Sequence, residues 1–164
     1  MVEMKIFGLA LDEQSQVPLL ILKDQEDKQV LPIWIGAMEA MSISISLNKV
    51  SISRPLTHDL MLQILTTLGA SIERVQIVDL REGTYYAEMH IVHQDRTFLV
   101  DSRPSDAIAL AVRADAPVYA AQSLLDRVAK QFDQDHEVVL KDEESTRWTE
   151  FLEKYDIDDT KYKM

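Results

Sequence analysis

The stretch Glu39–Ile43 has the sequence EAMSI, and 67 residues further along the chain Asp106–Leu110 has the sequence DAIAL. Acid aligns with acid, small residues with small and apolar residues with apolar. On its own, the first of these segments fits either a strand or a helix. Residues 42–47 alternate polar and apolar residues, as in a strand, whereas the Ala, Met and Glu residues that open the segment favour a helix. Segment 104–113 is a clear helix with Pro104 in its first turn. The alignment therefore favours a helix over 37–48.

The segments around these two helices also correspond. Each half has three strand-like segments, bounded by polar turns, before its helix, and each has a further helix after it. The pattern predicts an α+β fold with an internal duplication of a β-β-β-α-α unit. The mixed or antiparallel strands form two sheets or one continuous barrel-like sheet, with helices packed against it. The predicted strands are 4–11, 17–22, 30–35, 72–80, 84–92, 97–100 and 118–119, and the further helices are 57–68 and one that begins near Ser123.

The composition limits the class of protein. The chain has 164 residues, no cysteine and a formal net charge of −11. Without cysteine there is no disulfide framework, thiolate zinc site or cysteine nucleophile. The chain shows no secretory signal and no apolar stretch long enough to cross a bilayer, so we expect a cytoplasmic protein without a membrane partner. The acidity argues against a broad basic face that coats duplex nucleic acid, but leaves room for a small cationic pocket.

The composition changes near the end of the chain. We expect one domain over 1–135 and an acidic C-terminal tail over 136–164. Within the tail, Arg147–Tyr155 could form a short amphipathic helix, with Trp148, Phe151, Leu152 and Tyr155 on its apolar face. The simpler interpretation is a tail that docks two aromatic side chains on the body, and the alternative is a lid or a dimer contact.

Two short segments could carry chemistry: Arg54–Asp59 (RPLTHD) and Arg103–Asp106 (RPSD). Each has Arg-Pro, a hydroxyl residue and an acid at a predicted helix N-terminus, where unpaired N–H groups and an arginine fork favour an oxyanion. We expect Thr57 and Ser105 to cap the helices and, with Arg54 and Arg103, to contact phosphate. The structural alternative is that each arginine pairs with the acid of its own segment, Arg54 with Asp59 and Arg103 with Asp106.

Glu39 is the third acid of interest, because it aligns with Asp106. If the halves pack about a pseudo-twofold axis, these two carboxylates lie near each other. Together with Asp59 they could hold a divalent metal, Mg²⁺ or Mn²⁺, that polarises a phosphate. His58 would assist proton transfer. The predicted catalytic residues are Glu39, Arg54, His58, Asp59, Arg103 and Asp106, and the predicted metal ligands are Glu39, Asp59 and Asp106.

Several of these segments resemble the bifunctional nuclease domain family: Leu31–Gly36, Glu39-Ala40, Arg54–Leu60 and above all Arg103–Ala111. The resemblance extends over about residues 4–132, with Ala37 and Met38 departing from the expected residues. It implies an α+β duplication that cleaves both DNA and RNA. Because the chain is acidic, we expect the nucleic-acid substrate to be bound weakly. Open strand edges also lead us to expect a homo-oligomer, with a dimer favoured. Two other function classes remain open: a non-enzymatic module that binds a nucleotide or small anion, and a structural or regulatory homo-oligomer.

Overall fold

A computed structural model of the chain describes residues 1–12 and 15–135, and for residues 131–135 the backbone alone. It confirms each predicted strand and helix in this part of the chain, including the helix over 37–48. The predicted tail, 136–164, lies outside the described residues, and the domain boundary stays a prediction. The elements are β1 (Val2–Leu11), β2 (Pro18–Asp24), β3 (Val30–Trp34), α1 (Ala37–Leu47), α2 (Thr57–Thr67), β4 (Ala70–Arg81), β5 (Thr84–His93), β6 (Arg96–Ser102), α3 (Pro104–Ala114), β7 (Val118–Ala120) and α4 (Gln122–Asp135).

The strands form one seven-stranded sheet in the order β3-β2-β1-β7-β4-β5-β6. The short strand β7 lies at its centre, where Val118 pairs antiparallel with Met4 of β1 and parallel with Val75 of β4. The two antiparallel meanders, β1-β2-β3 and β4-β5-β6, are therefore joined through three residues. The fold is α+β with a mixed sheet, as predicted, and the alternative of two separate sheets is wrong.

The internal duplication stays a prediction. Helices α1 and α3 have 11 residues each, and their first residues, Ala37 and Pro104, are 67 positions apart, as are their last. The strand β7, however, lies between α3 and α4 without a counterpart between α1 and α2 in the described residues.

Helix α3 lies at the centre of the helical layer, because it packs against α1, α2, β4 and β5. Pro104 occupies its first turn, and the helix ends at Asp115 in the left-handed conformation (φ 53°). Its residues from Ala107 to Ala111 are at most 1% exposed. They join the main core with Leu20, Leu22, Val75 and Ile77 of the sheet. The core thus fixes α3, and α3 in turn fixes the helices on either side.

Within the described residues no helix combines the length and the apolar character that crossing a membrane would require. The cytoplasmic location stays a prediction.

The position of α3 can be tested with two leucines of opposite exposure. Leu110 is 1% exposed, whereas Leu99 on the edge strand β6 is 61% exposed. We expect Leu110→Ala to lower the free energy of unfolding by about 2–5 kcal/mol through lost burial and a residual cavity. Leu99→Ala, the control, should change it by less than about 0.5 kcal/mol. Urea unfolding followed by circular dichroism measures both, and equal losses would contradict the assignment of α3 to the core.

Candidate active site where three helices meet

The residues singled out in the sequence come from three segments that the fold brings together. Glu39 lies on α1, His58 and Asp59 lie in the first turn of α2, and Arg103 and Asp106 lie at the N-terminus of α3. Because α1 and α2 both pack against α3, side chains separated by up to 64 residues form direct hydrogen bonds.

Arg103 joins two carboxylates. Its Nε and Nη2 groups donate to the two oxygens of Asp106 at 2.8 and 3.1 Å, and Nη1 donates to Oε1 of Glu39 at 3.0 Å. Glu39 and Asp106 are therefore brought to one place, with a guanidinium between them. The arginine side chain is 66% exposed, whereas those of Glu39 and Asp106 are 22% and 28% exposed. The cation lies at the solvent side of the cluster.

His58 lies between a hydroxyl and a carboxylate. Its Nδ1 is 2.8 Å from Oγ of Ser42 on α1, and its Nε2 is 3.2 Å from Oδ1 of Asp106 on α3. The imidazole is 13% exposed. One side chain thus links all three helices, and the contacts form a continuous series from hydroxyl to imidazole to carboxylate.

Asp59 forms its ion pair with a different arginine from the one considered in the sequence. Arg113, in the last turn of α3, donates from Nε to Asp59 at 2.6 Å, and its two other nitrogens donate to the backbone oxygens of Ala109 and Ser42. The Arg113 side chain is 6% exposed. The expected pair of Arg54 with Asp59 is therefore wrong, while the pair of Arg103 with Asp106 is confirmed. Arg54 is exposed ahead of α2 and forms no ion pair in the described part of the chain.

The two hydroxyl residues do not cap their helices as expected. The N-cap positions are Leu56 for α2 and Arg103 for α3, and neither has a side-chain cap. At α2 the first turn is closed by Asp59, whose Oδ2 accepts the backbone N–H of Leu56 at 2.9 Å. Thr57 is exposed in the first turn, whereas Ser105 is buried. Contact of either with phosphate stays a prediction.

Glycine at position 36 makes room for the carboxylate of Glu39. A Cβ added to Gly36 would lie 2.2 Å from Oε2 and 3.1 Å from Cδ of Glu39. Gly36 is the N-cap residue of α1, so the Glu39 side chain folds back over the start of its own helix. In that position it meets both Arg103 and the positive end of the helix dipole.

The ion pairs determine the charge of the acids. Burial raises the pKa of Asp106, but hydrogen bonds from Arg103 and His58 and the charge of Arg103 outweigh it, so the pKa lies below its ordinary value. Burial likewise opposes the ionisation of Asp59, and Arg113 and the Leu56 N–H reverse this and lower its pKa. Hydrogen bonding to Asp106, with the charges of Asp106 and Glu39, raises the pKa of Arg103. Asp59 and Asp106 are therefore ionised near neutral pH.

The carboxylates do not have the arrangement of a metal site. Over residues 1–12 and 15–135, no group of three or more His, Asp or Glu side chains is placed to hold a metal ion. Glu39 and Asp106 are bound to Arg103, whereas Asp59 is paired with a different arginine, Arg113. The donor set does not fit a shared divalent cation as it stands, and metal dependence stays a prediction.

Two contributors escaped the sequence analysis. In the sequence, Ser42 was aligned only as a small residue, and Arg113 only as the end of a predicted helix. A signal for Ser42 exists in hindsight, because it lies three residues after Glu39 and so shares a helix face with it. Nothing local marks Arg113, whose partner Asp59 is 54 positions away.

Comparison with known proteins shows the family. The model of the bifunctional nuclease domain matches residues 20–133, more than half of the chain. The chain belongs to the bifunctional nuclease domain family. The matched segment includes α1, α2 and α3 and hence all the residues that meet at Arg103 and His58.

The relatives of this chain fall into two groups. The uncharacterized protein Rv1829 of Mycobacterium tuberculosis is 34% identical over 163 residues, 97% of this chain and 98% of its own length. Bifunctional nuclease 2 of Oryza sativa subsp. japonica is 26% identical over 71% of this chain and 37% of its own length. Bifunctional nuclease 1 of Arabidopsis thaliana is 24% identical over 68% and 35%. The chain thus matches about a third of these plant proteins.

The ion pair of the partly exposed Asp59 with the buried Arg113 leads to a prediction about stability and pH. Asp59→Asn leaves a buried guanidinium without its counter-charge, and we expect a loss of about 1–3 kcal/mol at pH 7. Because the folded pKa of Asp59 is lowered, its stabilising contribution is present above its ordinary value of 3.8 and is lost as pH falls below it. The difference between wild type and variant should therefore narrow below about pH 4.

Urea unfolding at a series of pH values measures this difference. Asp27→Asn is the matched control, since Asp27 pairs with Lys5 where both side chains are at least 41% exposed, and it should cost less than about 1 kcal/mol. A difference between wild type and Asp59→Asn that is constant from pH 7 to pH 3 would contradict the assignment.

Proposed function

We propose that this chain is a nuclease that hydrolyses phosphodiester bonds of DNA and RNA. Family membership and the names of the plant relatives support nuclease activity in general. The observation that carries the proposal is that the exposed guanidinium of Arg103 and the imidazole of His58 both bind the carboxylate of Asp106. A phosphate-binding group and a proton-transfer group are thereby joined in one cluster.

Arg103 supplies the phosphate contact. A guanidinium has five N–H donors, and the carboxylates of Asp106 and Glu39 use three of them. The remaining N–H groups are available to non-bridging phosphate oxygens, and a planar guanidinium suits these oxygens. The same group stabilises the negative charge that develops on the phosphoryl oxygens in the transition state.

His58 supplies the proton transfer, and Asp106 orients it. An ionised carboxylate only accepts hydrogen bonds, so the contact with Asp106 places the imidazole proton on Nε2. Nδ1 is then the unprotonated nitrogen that takes up a proton during cleavage. In this proposal Asp106 acts through His58 and Arg103, while Glu39 holds the guanidinium from its other side.

Replacing Arg103 tests the proposal. We expect Arg103→Ala to lower kcat/KM for cleavage of a labelled oligonucleotide by about 100-fold, since charge stabilisation in the transition state is lost. Arg81→Ala is the matched control: Arg81 is also 66% exposed and paired with an aspartate, and the variant should keep its activity. Thermal unfolding of both variants checks their folding. Loss of folding rather than activity in Arg103→Ala would favour a structural role.

The rival module would bind an anion without turning it over. Stabilisation of the wild-type protein by a mononucleotide in thermal unfolding, with no cleavage of DNA or RNA, would contradict the nuclease proposal and support the binding module.

The metal requirement is a separate prediction of the sequence. If it holds, cleavage stops in excess chelator and returns when Mg²⁺ or Mn²⁺ is added back. Cleavage that is unchanged in excess chelator would show it to be wrong, in agreement with the arginine pairing of all three acids.

A further inference from the structure

We propose that Ser42 is the nucleophile of the cleavage reaction and forms a transient covalent ester with the phosphorus atom. The inference rests on the proposed nuclease function and names a residue that carries it out. Nucleophilic catalysis by a hydroxyl requires a base within hydrogen-bond distance and a third group that orients the base. Ser42, His58 and Asp106 have this relation, at 2.8 and 3.2 Å.

The direction of the hydrogen bonds follows from the chemistry of the groups. Asp106 is bound by Arg103 on both oxygens and is ionised, so it accepts the proton on Nε2 of His58. A neutral imidazole then has a bare Nδ1, and the hydroxyl of Ser42 donates to it. The proton that must leave Ser42 for attack already points at the nitrogen that would receive it.

Ser42 is also held in place and accessible. Its backbone oxygen accepts a hydrogen bond from Nη2 of the buried Arg113 at 3.1 Å, which ties this turn of α1 to α3. Its side chain is partly exposed. Two other serines of the helix differ, because Ser44 is buried and bonded to Asn48, and Ser46 has no imidazole beside it in the described structure.

The reaction then has two displacements. In the first, Oγ of Ser42 bonds to phosphorus as the bond to one sugar oxygen breaks, and the serine proton passes through Nδ1 of His58 to that leaving oxygen. In the second, water attacks the phosphorus, its proton passes to Nδ1, and the Oγ–P bond breaks as Ser42 recovers a proton. The sum is the addition of one water across one phosphodiester bond, with no other reactant.

The stereochemistry at phosphorus separates this route from direct attack by water. A phosphorothioate oligonucleotide of one configuration, cleaved in isotopically labelled water, should give product with retained configuration, because each displacement inverts the centre. Inversion would overturn the role of Ser42 while leaving the nuclease proposal intact.

Variants of the helix supply a second test. We expect Ser42→Ala to lower kcat at least about 1000-fold without loss of folding, and Ser46→Ala, the matched control on the same helix, to cleave normally. Activity of Ser42→Ala within tenfold of wild type would overturn the inference. Circular dichroism and thermal unfolding of Ser42→Ala check that the helix is intact.

Labelling with a fluorophosphonate identifies a nucleophilic serine independently of nucleic-acid cleavage. Wild-type protein should gain one phosphonyl group with loss of fluoride, located on Ser42 by peptide mass spectrometry. His58→Gln should react at least about tenfold more slowly, and Ser42→Ala should not react. Labelling of Ser42 without nuclease activity would contradict the proposed function while supporting a reactive serine. Cleavage of nucleic acid without labelling of Ser42 would overturn the inference.

Discussion

The close packing of α1 against α3 is the constraint on which the site depends. Helix α1 buries Ala40 and Ser44, and α3 buries Ala107 and Ala111 at the same four-residue spacing. The distance between packed helices depends on the side chains at their contact, and small residues let the backbones approach. Only then can Arg103 reach Glu39, and only then can a side chain of α3 hydrogen bond to the backbone oxygen of Ser42.

The cluster has little positive charge to attract nucleic acid. Around Arg103 there are two carboxylates for one guanidinium, and Arg113 is neutralised by Asp59. In a chain of net charge −11, long-range attraction cannot concentrate a phosphodiester here. The arrangement instead fixes the direction of each donor before a substrate arrives, and preorganised donors stabilise a transition state without reorganising. In the proposed nuclease, the same ion pairs would account both for weak binding of nucleic acid and for the orientation of the donors.

The sequence predicted the elements well, because their signals are local. Alternation and turns marked the strands, and the alignment of 37–48 with 104–113 correctly identified α1 as a helix despite its alternating serines. The central position of β7 could not be predicted, since a three-residue strand carries almost no pattern. The partner of Asp59 was missed for a related reason. Arg54 is near it in the chain, but tertiary packing brings Arg113 instead.

Capping shows the limit of local rules within the site. Thr57 is a residue type typical of an N-cap, yet the N-cap position is Leu56 and Thr57 is the first residue of α2, while Asp59 accepts the backbone N–H of Leu56. The residue type at a helix start therefore does not by itself determine which residue occupies the N-cap position. Charge and spacing marked most of the candidate residues in the sequence, whereas the packing of three helices determines which of them pair.

The glycine that precedes α1 has a consequence for how this protein could change over time. Because any β-carbon at position 36 would collide with the carboxylate of Glu39, an uncharged, sterically small substitution there would release one anchor of Arg103. The guanidinium would then swing toward Asp106 alone. The electrostatic balance of the cluster is thus controlled from a residue that bears no charge itself, and steric variation at that position would tune it without altering any ionisable group.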